Sequence, residues 1–174
     1  MRNREVSYHT LHFICSLTKA LRPKQALSVS EWAEKNMVLP AGSNTEGKYT
    51  TASAPYQKEI MDAISDPMVR DVVVMSSAQV GKTLIILCGI GYYIDYEPAT
   101  QLLVMPTLVL GEKFSKSRLA NMIRDVAVLS DKIAAPKSKN SDNTVSFKQY
   151  PGGYIIVAGA NSPASLSSMS HLMT

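Results

Sequence analysis

The sequence has no apolar stretch of the ~18 residues that a helix needs to cross a bilayer. Its N-terminal apolar stretch, 11–17, is short, contains His12 and is followed by Lys19, with no small-residue cleavage site after it. Neither a membrane span nor a signal peptide is expected, and the expected location is intracellular. Cysteine is scarce: Cys15 and Cys88 lie far apart, each in an apolar run, and no Cys-x-x-Cys occurs. The three histidines, His9, His12 and His171, have no metal-ligand spacing. These absences argue against a disulfide framework and a zinc site, and fit two lone buried thiols in a reducing compartment. There is no internal repeat and no low-complexity tract. What is present is ordinary for a globular domain. The chain has 174 residues, 45% hydrophobic and 18% charged, enough for one domain with a real core. A net charge of +4 is compatible with an acidic partner such as nucleic acid, but an average surface accounts for it equally well.

The first 27 residues carry Arg2, Arg4, Lys19, Arg22 and Lys24 with little periodicity, as in a loosely held arm or short helix. Ser28 and Glu31 stand at capping-box spacing, so 30–36 should be a short helix carrying Trp32, a packing anchor. Residues 40–54 are rich in Gly, Ser and Thr and read as loop. Pro55 opens a helix over 55–65. The β-branched run Asp71–Met75 reads as a buried strand, and 82–96, apolar nearly all round, as a buried helix. A second strand covers 101–106. A helix then follows from Thr107 to about Leu129, with Leu119, Met122, Ile123 and Val126 on one face and Lys113, Lys116, Arg118 and Arg124 on the other. Two strands, TVSFKQY and YIIVAGA, flank a turn at Pro151-Gly152-Gly153. This order is that of an α/β fold with a mostly parallel sheet.

The chemistry concentrates at residues 76–83, Ser76-Ser77-Ala78-Gln79-Val80-Gly81-Lys82-Thr83. Apart from its first position, this stretch matches the phosphate-loop pattern G-x-x-x-x-G-K-[ST], with Ser76 where that pattern has its first glycine. Such a loop needs inward-pointing backbone amides, a helix start, a lysine for the β- and γ-phosphates and a hydroxyl for Mg²⁺. Gly81, Lys82 and Thr83 supply the close backbone approach, the charge and the metal-ligating hydroxyl. The alternative is a chance Gly-Lys-Thr in a core α/β connection.

The stretch from Pro55 to Thr83 resembles the ATPase region of the phage terminase large subunit, of the lambda (GpA-like) type. The resemblance continues through 101–125 and 151–168, and 28–40 is similar to that family's N-terminal segment. Ser76 then looks like a family habit, since these proteins often replace the first glycine. The resemblance implies an ASCE-type P-loop NTPase, a parallel sheet flanked by helices. ATP and Mg²⁺ would be its cofactors, Thr83 ligating the metal. It implies a motor that moves double-stranded DNA into a procapsid in the host cytoplasm, as a viral or prophage protein. The implied partners are the terminase small subunit, the portal and further copies of itself in a ring. A C-terminal nuclease also belongs to the family. The expected organisation is an arm and short helix over 1–54 and a partial ATPase domain over 55–174, with the nuclease domain absent. Asp142 is the last acidic residue, so the Asp-Glu pair that the family uses to hold magnesium and orient water is missing. The fold is therefore expected to be incomplete. Hydrolysis by this chain alone should be lost even where nucleotide still binds. A different reading is a truncated, non-catalytic nucleotide- or DNA-binding remnant. A small-molecule kinase would need an acidic metal ligand and a lid, and neither is visible. An incomplete sheet should also leave unpaired edges, so the chain is expected to be marginally stable or to associate.

Other residues carry two readings each. Tyr56 and Gln57 resemble the family's adenine-contacting element, or serve as a helix N-terminus packing on the sheet. Many terminases have an arginine in the phosphate loop, whereas Ala78 and Gln79 stand here. Arg118 and Arg124 are the arginine-finger candidates for a neighbouring subunit. They would otherwise form a solvated basic face or touch DNA phosphates. Gly159 to Ser162 follow a strand, where ligand loops gather in open α/β sheets, with Asn161 a contact or part of a simple turn.

Overall fold

The structure, a computed structural model, describes residues 27–40, 47–133 and 143–161. The basic arm, Cys15, Ser162 and the C-terminal tail lie outside the described residues. Helix α1 (Val29–Asn36) begins as its sequence dictates. Ser28 Oγ accepts from the Glu31 amide, and the Glu31 carboxylate accepts from the Ser28 amide at 3.0 Å. It leads into a two-residue antiparallel ladder, β1 (Val38–Leu39) with β2 (Gly47–Lys48), inside a stretch read as loop from sequence. Helix α2 (Tyr56–Ser65) follows Pro55.

Helix α3 (Lys82–Asp95) is the centre of the core. Its Ile85, Leu87, Cys88, Ile90, Tyr92 and Ile94 are all buried, as an all-round apolar helix requires. Trp32 of α1 is 1% exposed and lies against Gly91, where a Cβ would overlap the indole ring. The indole N–H donates to Asp95 Oδ2 at 2.8 Å, and Lys132 Nζ reaches Asp95 Oδ1 at 2.8 Å. Trp32 thus anchors α1 on α3, as its sequence position suggested. Burial pushes the Cys88 thiol up to about 12, so it stays protonated and behaves as a small apolar group.

The main sheet has three strands in the order β3-β5-β4: β3 (Gln101–Met105), β4 (Phe147–Tyr150) and β5 (Gly153–Gly159). Strands β3 and β5 run parallel, from Gln101 opposite Ile155 to Met105 opposite Gly159. Strands β4 and β5 form the antiparallel hairpin expected around Gly152, whose φ of +90° suits glycine. The fold is therefore mixed α/β, with a small sheet that is only partly parallel.

Between β3 and β4 the expected single helix is divided. Helix α4 (Leu108–Phe114) passes through a π-helical turn (Ser115–Leu119) into α5 (Ala120–Asp125). Val126 then leaves helical geometry before the short α6 (Ala127–Ser130). The predicted apolar stripe still faces inward: Leu119, Met122 and Val126 are buried, and Ile123 packs against the core.

One expectation fails. Asp71–Met75 is not a buried strand: it has no ladder partner and is exposed. Val72 and Val74 are 39% and 37% exposed, while Val73 and Met75 are 90% and 98% exposed. This is the alternation of a pleat resting on one face alone. Val72 and Val74 line a recess with Ile60 and Ile64 of α2 and with Ile85 and Ile86 of α3. The β-branched run promised burial, but burial of a strand needs a neighbouring strand, and none of the described strands pairs with it. Exposed apolar side chains beside unpaired backbone groups promote association. The double variant Val73→Lys, Met75→Lys is expected to shift the chain toward monomer in sedimentation velocity with an unchanged circular dichroism spectrum. A wild-type chain that is already monomeric at high concentration would contradict this.

Candidate functional site

The loop Ser76–Thr83 joins this unpaired segment to the first turn of α3. Two of its residues are left-handed, Gln79 at φ +61° and Gly81 at φ +82°. A non-glycine residue in this region is uncommon and signals a conformation imposed by its surroundings. Left-handed residues alternating with others turn successive backbone N–H groups to one side, the geometry of an anion-binding concavity. Gly81 is also the N-cap of α3 and offers no side chain to cap it. The amides of the first turn, and the positive end of a 14-residue helix, therefore face the loop.

Lys82 folds back across the loop. Its Nζ donates to Ser77 O at 2.5 Å, to Ser76 O at 3.3 Å and to Ser76 Oγ at 3.2 Å. Ser76, in the place of the pattern's first glycine, thus contributes both a carbonyl and a hydroxyl to the lysine. Ser77, Ala78 and Gln79 are exposed, and so is Thr83 in the first turn of α3.

Tyr56 and Gln57, at the start of α2, both reach the loop. Tyr56 OH donates to Val80 O at 3.0 Å and Gln57 Nε2 donates to the same oxygen at 3.2 Å. Tyr56 is 55% exposed, whereas Gln57 is only 4% exposed. Tyr49, inside the stretch whose composition reads as loop, is buried and donates through its hydroxyl to Gln57 Oε1 at 3.1 Å, a contact that nothing in the sequence signals.

The two arginines separate. Arg118 lines an apolar slot of about 310 Å³ together with Gly81, Thr83, Leu84, Asn121 and Met122, so it stands beside the loop in the same chain. Arg124 instead holds its sequence neighbour Asp125, Nε to Oδ1 at 2.7 Å and a second nitrogen to Oδ2 at 3.1 Å. That pairing raises the Arg124 pKa and neutralises its charge locally. Lys116 lies 3.9 Å from Glu112, so the basic face predicted for this helix is partly compensated. Asn161 sits at the end of β5, near Gly159 and the Thr107 N-cap of α4. Among the described residues no cluster of three or more His, Cys, Asp or Glu could hold a metal ion, and no helix is long and apolar enough to cross a membrane.

A family model described as phage terminase large subunit gpA, ATPase domain, matches residues 43–173. The chain belongs to this family. It is 33% identical over 144 residues to the terminase large subunit of Escherichia phage lambda, and 33% identical over 128 residues to that of Enterobacteria phage P21. These alignments cover 82% and 73% of this chain but 22% and 20% of the two relatives, so the chain spans about a fifth of their length. No solved structure matches it. Membership in a terminase ATPase-domain family implies nucleotide use, and the matched residues include the whole loop 76–83.

Proposed function

We propose that this terminase chain is the nucleotide-binding part of an ATP-driven motor that moves double-stranded DNA into a procapsid, with Ser76–Thr83 as its phosphate loop. The observation that carries this reading is the loop itself: left-handed Gln79 and Gly81, Lys82 folded over them, and an uncapped apolar helix behind. The donor set suits a polyphosphate, because the uncapped amides at Gly81–Thr83 and the Lys82 ammonium supply donors and positive charge. Lys82 would exchange its bonds to Ser76 and Ser77 for phosphate oxygens, and Thr83 would offer its hydroxyl to the metal. Mg²⁺, held in part by the Thr83 hydroxyl, would supply positive charge to offset that of the nucleotide. Without a carboxylate cluster among the described residues, the metal would depend on nucleotide and Thr83 together.

In this reading residues 55–174 form the nucleotide-binding part and 1–54 an arm with a short helix. DNA, a small subunit, the portal and further copies in a ring are the partners of the whole motor. Titration of the chain with ATP in a calorimeter tests the assignment. Saturable one-to-one binding that strengthens with Mg²⁺ is expected, and no heat with any nucleotide would refute it.

Arg118, which lines the slot beside Thr83, would add positive charge to a bound anion, whereas Arg124 is held by Asp125, a residue of the same lining. Arg118→Ala is expected to weaken Mg·ATP binding about fivefold, the value of roughly 1 kcal/mol for an exposed charge contact. Arg124→Ala should change it less than about twofold, since its charge is already compensated. The same titration reads both, and equal losses would contradict the separation.

A further inference from the structure

Gln57 is built into the loop rather than offered to a ligand. It is 4% exposed and its amide is spoken for at both ends. Val80 O can only accept, so the amide nitrogen must face it. The amide oxygen is then turned to Tyr49, whose hydroxyl must donate. Burial pushes the Tyr49 phenol up to about 12, so it remains a donor at every pH of interest. The backbone of Gly81 passes directly against this amide: a Cβ at Gly81 would overlap Gln57 Nε2. Glycine is required there twice over, by its φ of +82° and by the closeness of Gln57.

We propose that Gln57, oriented by Tyr49, is a positioning residue for the phosphate loop: it pins the Val80 carbonyl and so aims the Gly81–Thr83 amides at the phosphates, and it does not read the base. The inference rests on the phosphate-loop assignment above. A peptide plane has its C=O and the following N–H on opposite sides. Holding Val80 O toward α2 therefore fixes this peptide plane, with the Gly81 N–H directed away from α2. Tyr56 OH adds a second bond to the same oxygen from the exposed side. A carbonyl left free to rotate into the concavity would present a negative dipole to an anion.

Three probes separate positioning from base reading: Mg·ATP, Mg·GTP and inorganic tripolyphosphate with Mg²⁺, which has no base. Their affinities for the full chain and for Gln57→Leu and Tyr49→Phe are measured by calorimetry. Gln57→Leu should weaken all three by the same factor, about tenfold, at unchanged stoichiometry. The gentler Tyr49→Phe should weaken all three by about threefold, as expected for loss of one hydrogen bond that acts indirectly. A variant that merely unfolds would instead lower the stoichiometry of the remaining sites at unchanged affinity, and Tyr49→Phe then decides. Two results would overturn the inference. One is a variant that loses ATP-over-GTP discrimination while keeping tripolyphosphate affinity. The other is both variants binding like wild type. A wild-type chain that binds none of the three probes would remove the phosphate-loop assignment and this inference with it.

Discussion

Lys82→Ala is expected to lower the affinity for Mg·ATP by about 100-fold while leaving the melting temperature nearly unchanged. The two halves have separate causes. The Lys82 ammonium already spans the loop, bonded to Ser76 and Ser77, so it stands where phosphate oxygens would enter. Hydrogen bonds to charged partners contribute about 1.5–3 kcal/mol each, and two of them at the low end of that range account for roughly two orders of magnitude. In the free chain the same ammonium binds exposed carbonyls that water serves nearly as well. Its removal therefore costs little stability. Calorimetric titration and a thermal melt on the same preparation test both halves. Affinity within about threefold of wild type would show that the lysine does not touch the phosphates.

Trp32→Ala should be the most destabilising single change, at about 3–5 kcal/mol. Its indole is almost wholly buried and packs against Gly91, where a Cβ would overlap the ring, so truncation leaves a large cavity. The variant also removes the bond to Asp95, although Lys132 continues to hold that carboxylate. A fall in melting temperature of about 10 °C follows for a chain of this size. Trp32→Phe keeps most of the apolar volume and loses the N–H donor, so it should cost about 1 kcal/mol more than the lost packing alone. Urea melts of the two variants order these effects. A Trp32→Ala loss under 1 kcal/mol would mean that α1 is not anchored on α3 in this way.

Much of this architecture was legible because it is local. Helix α3 announced itself by being apolar on every side, α1 by Ser28 and Glu31, and the β4–β5 hairpin by Pro151-Gly152-Gly153. The run Asp71–Met75 was misread because composition states that a segment favours burial, while pairing depends on which other strand arrives beside it. The π-helical turn at Ser115–Leu119 left no mark, since no proline or glycine disturbs that stretch. The helix-face periodicity survived it, with Leu119 and Met122 still turned inward. At the site, the order Gly81-Lys82-Thr83 was legible in one dimension, and so was the nearness of Tyr56 and Gln57 in sequence. What the sequence could not supply was direction. It did not disclose that the Gln57 amide is closed off by Tyr49 and Val80, or that Arg118 lies beside Thr83. Asp125, adjacent to Arg124 in sequence, is its partner, a pairing that helix-face periodicity does not reveal.

A structure of the chain crystallised with Mg²⁺ and a non-hydrolysable ATP analogue tests the central claim most directly. The account predicts phosphate oxygens within hydrogen-bond distance of the Gly81, Lys82 and Thr83 amides, with the Lys82 ammonium moved from Ser76 and Ser77 onto them. An analogue bound elsewhere, with Lys82 still resting on those carbonyls, would contradict it.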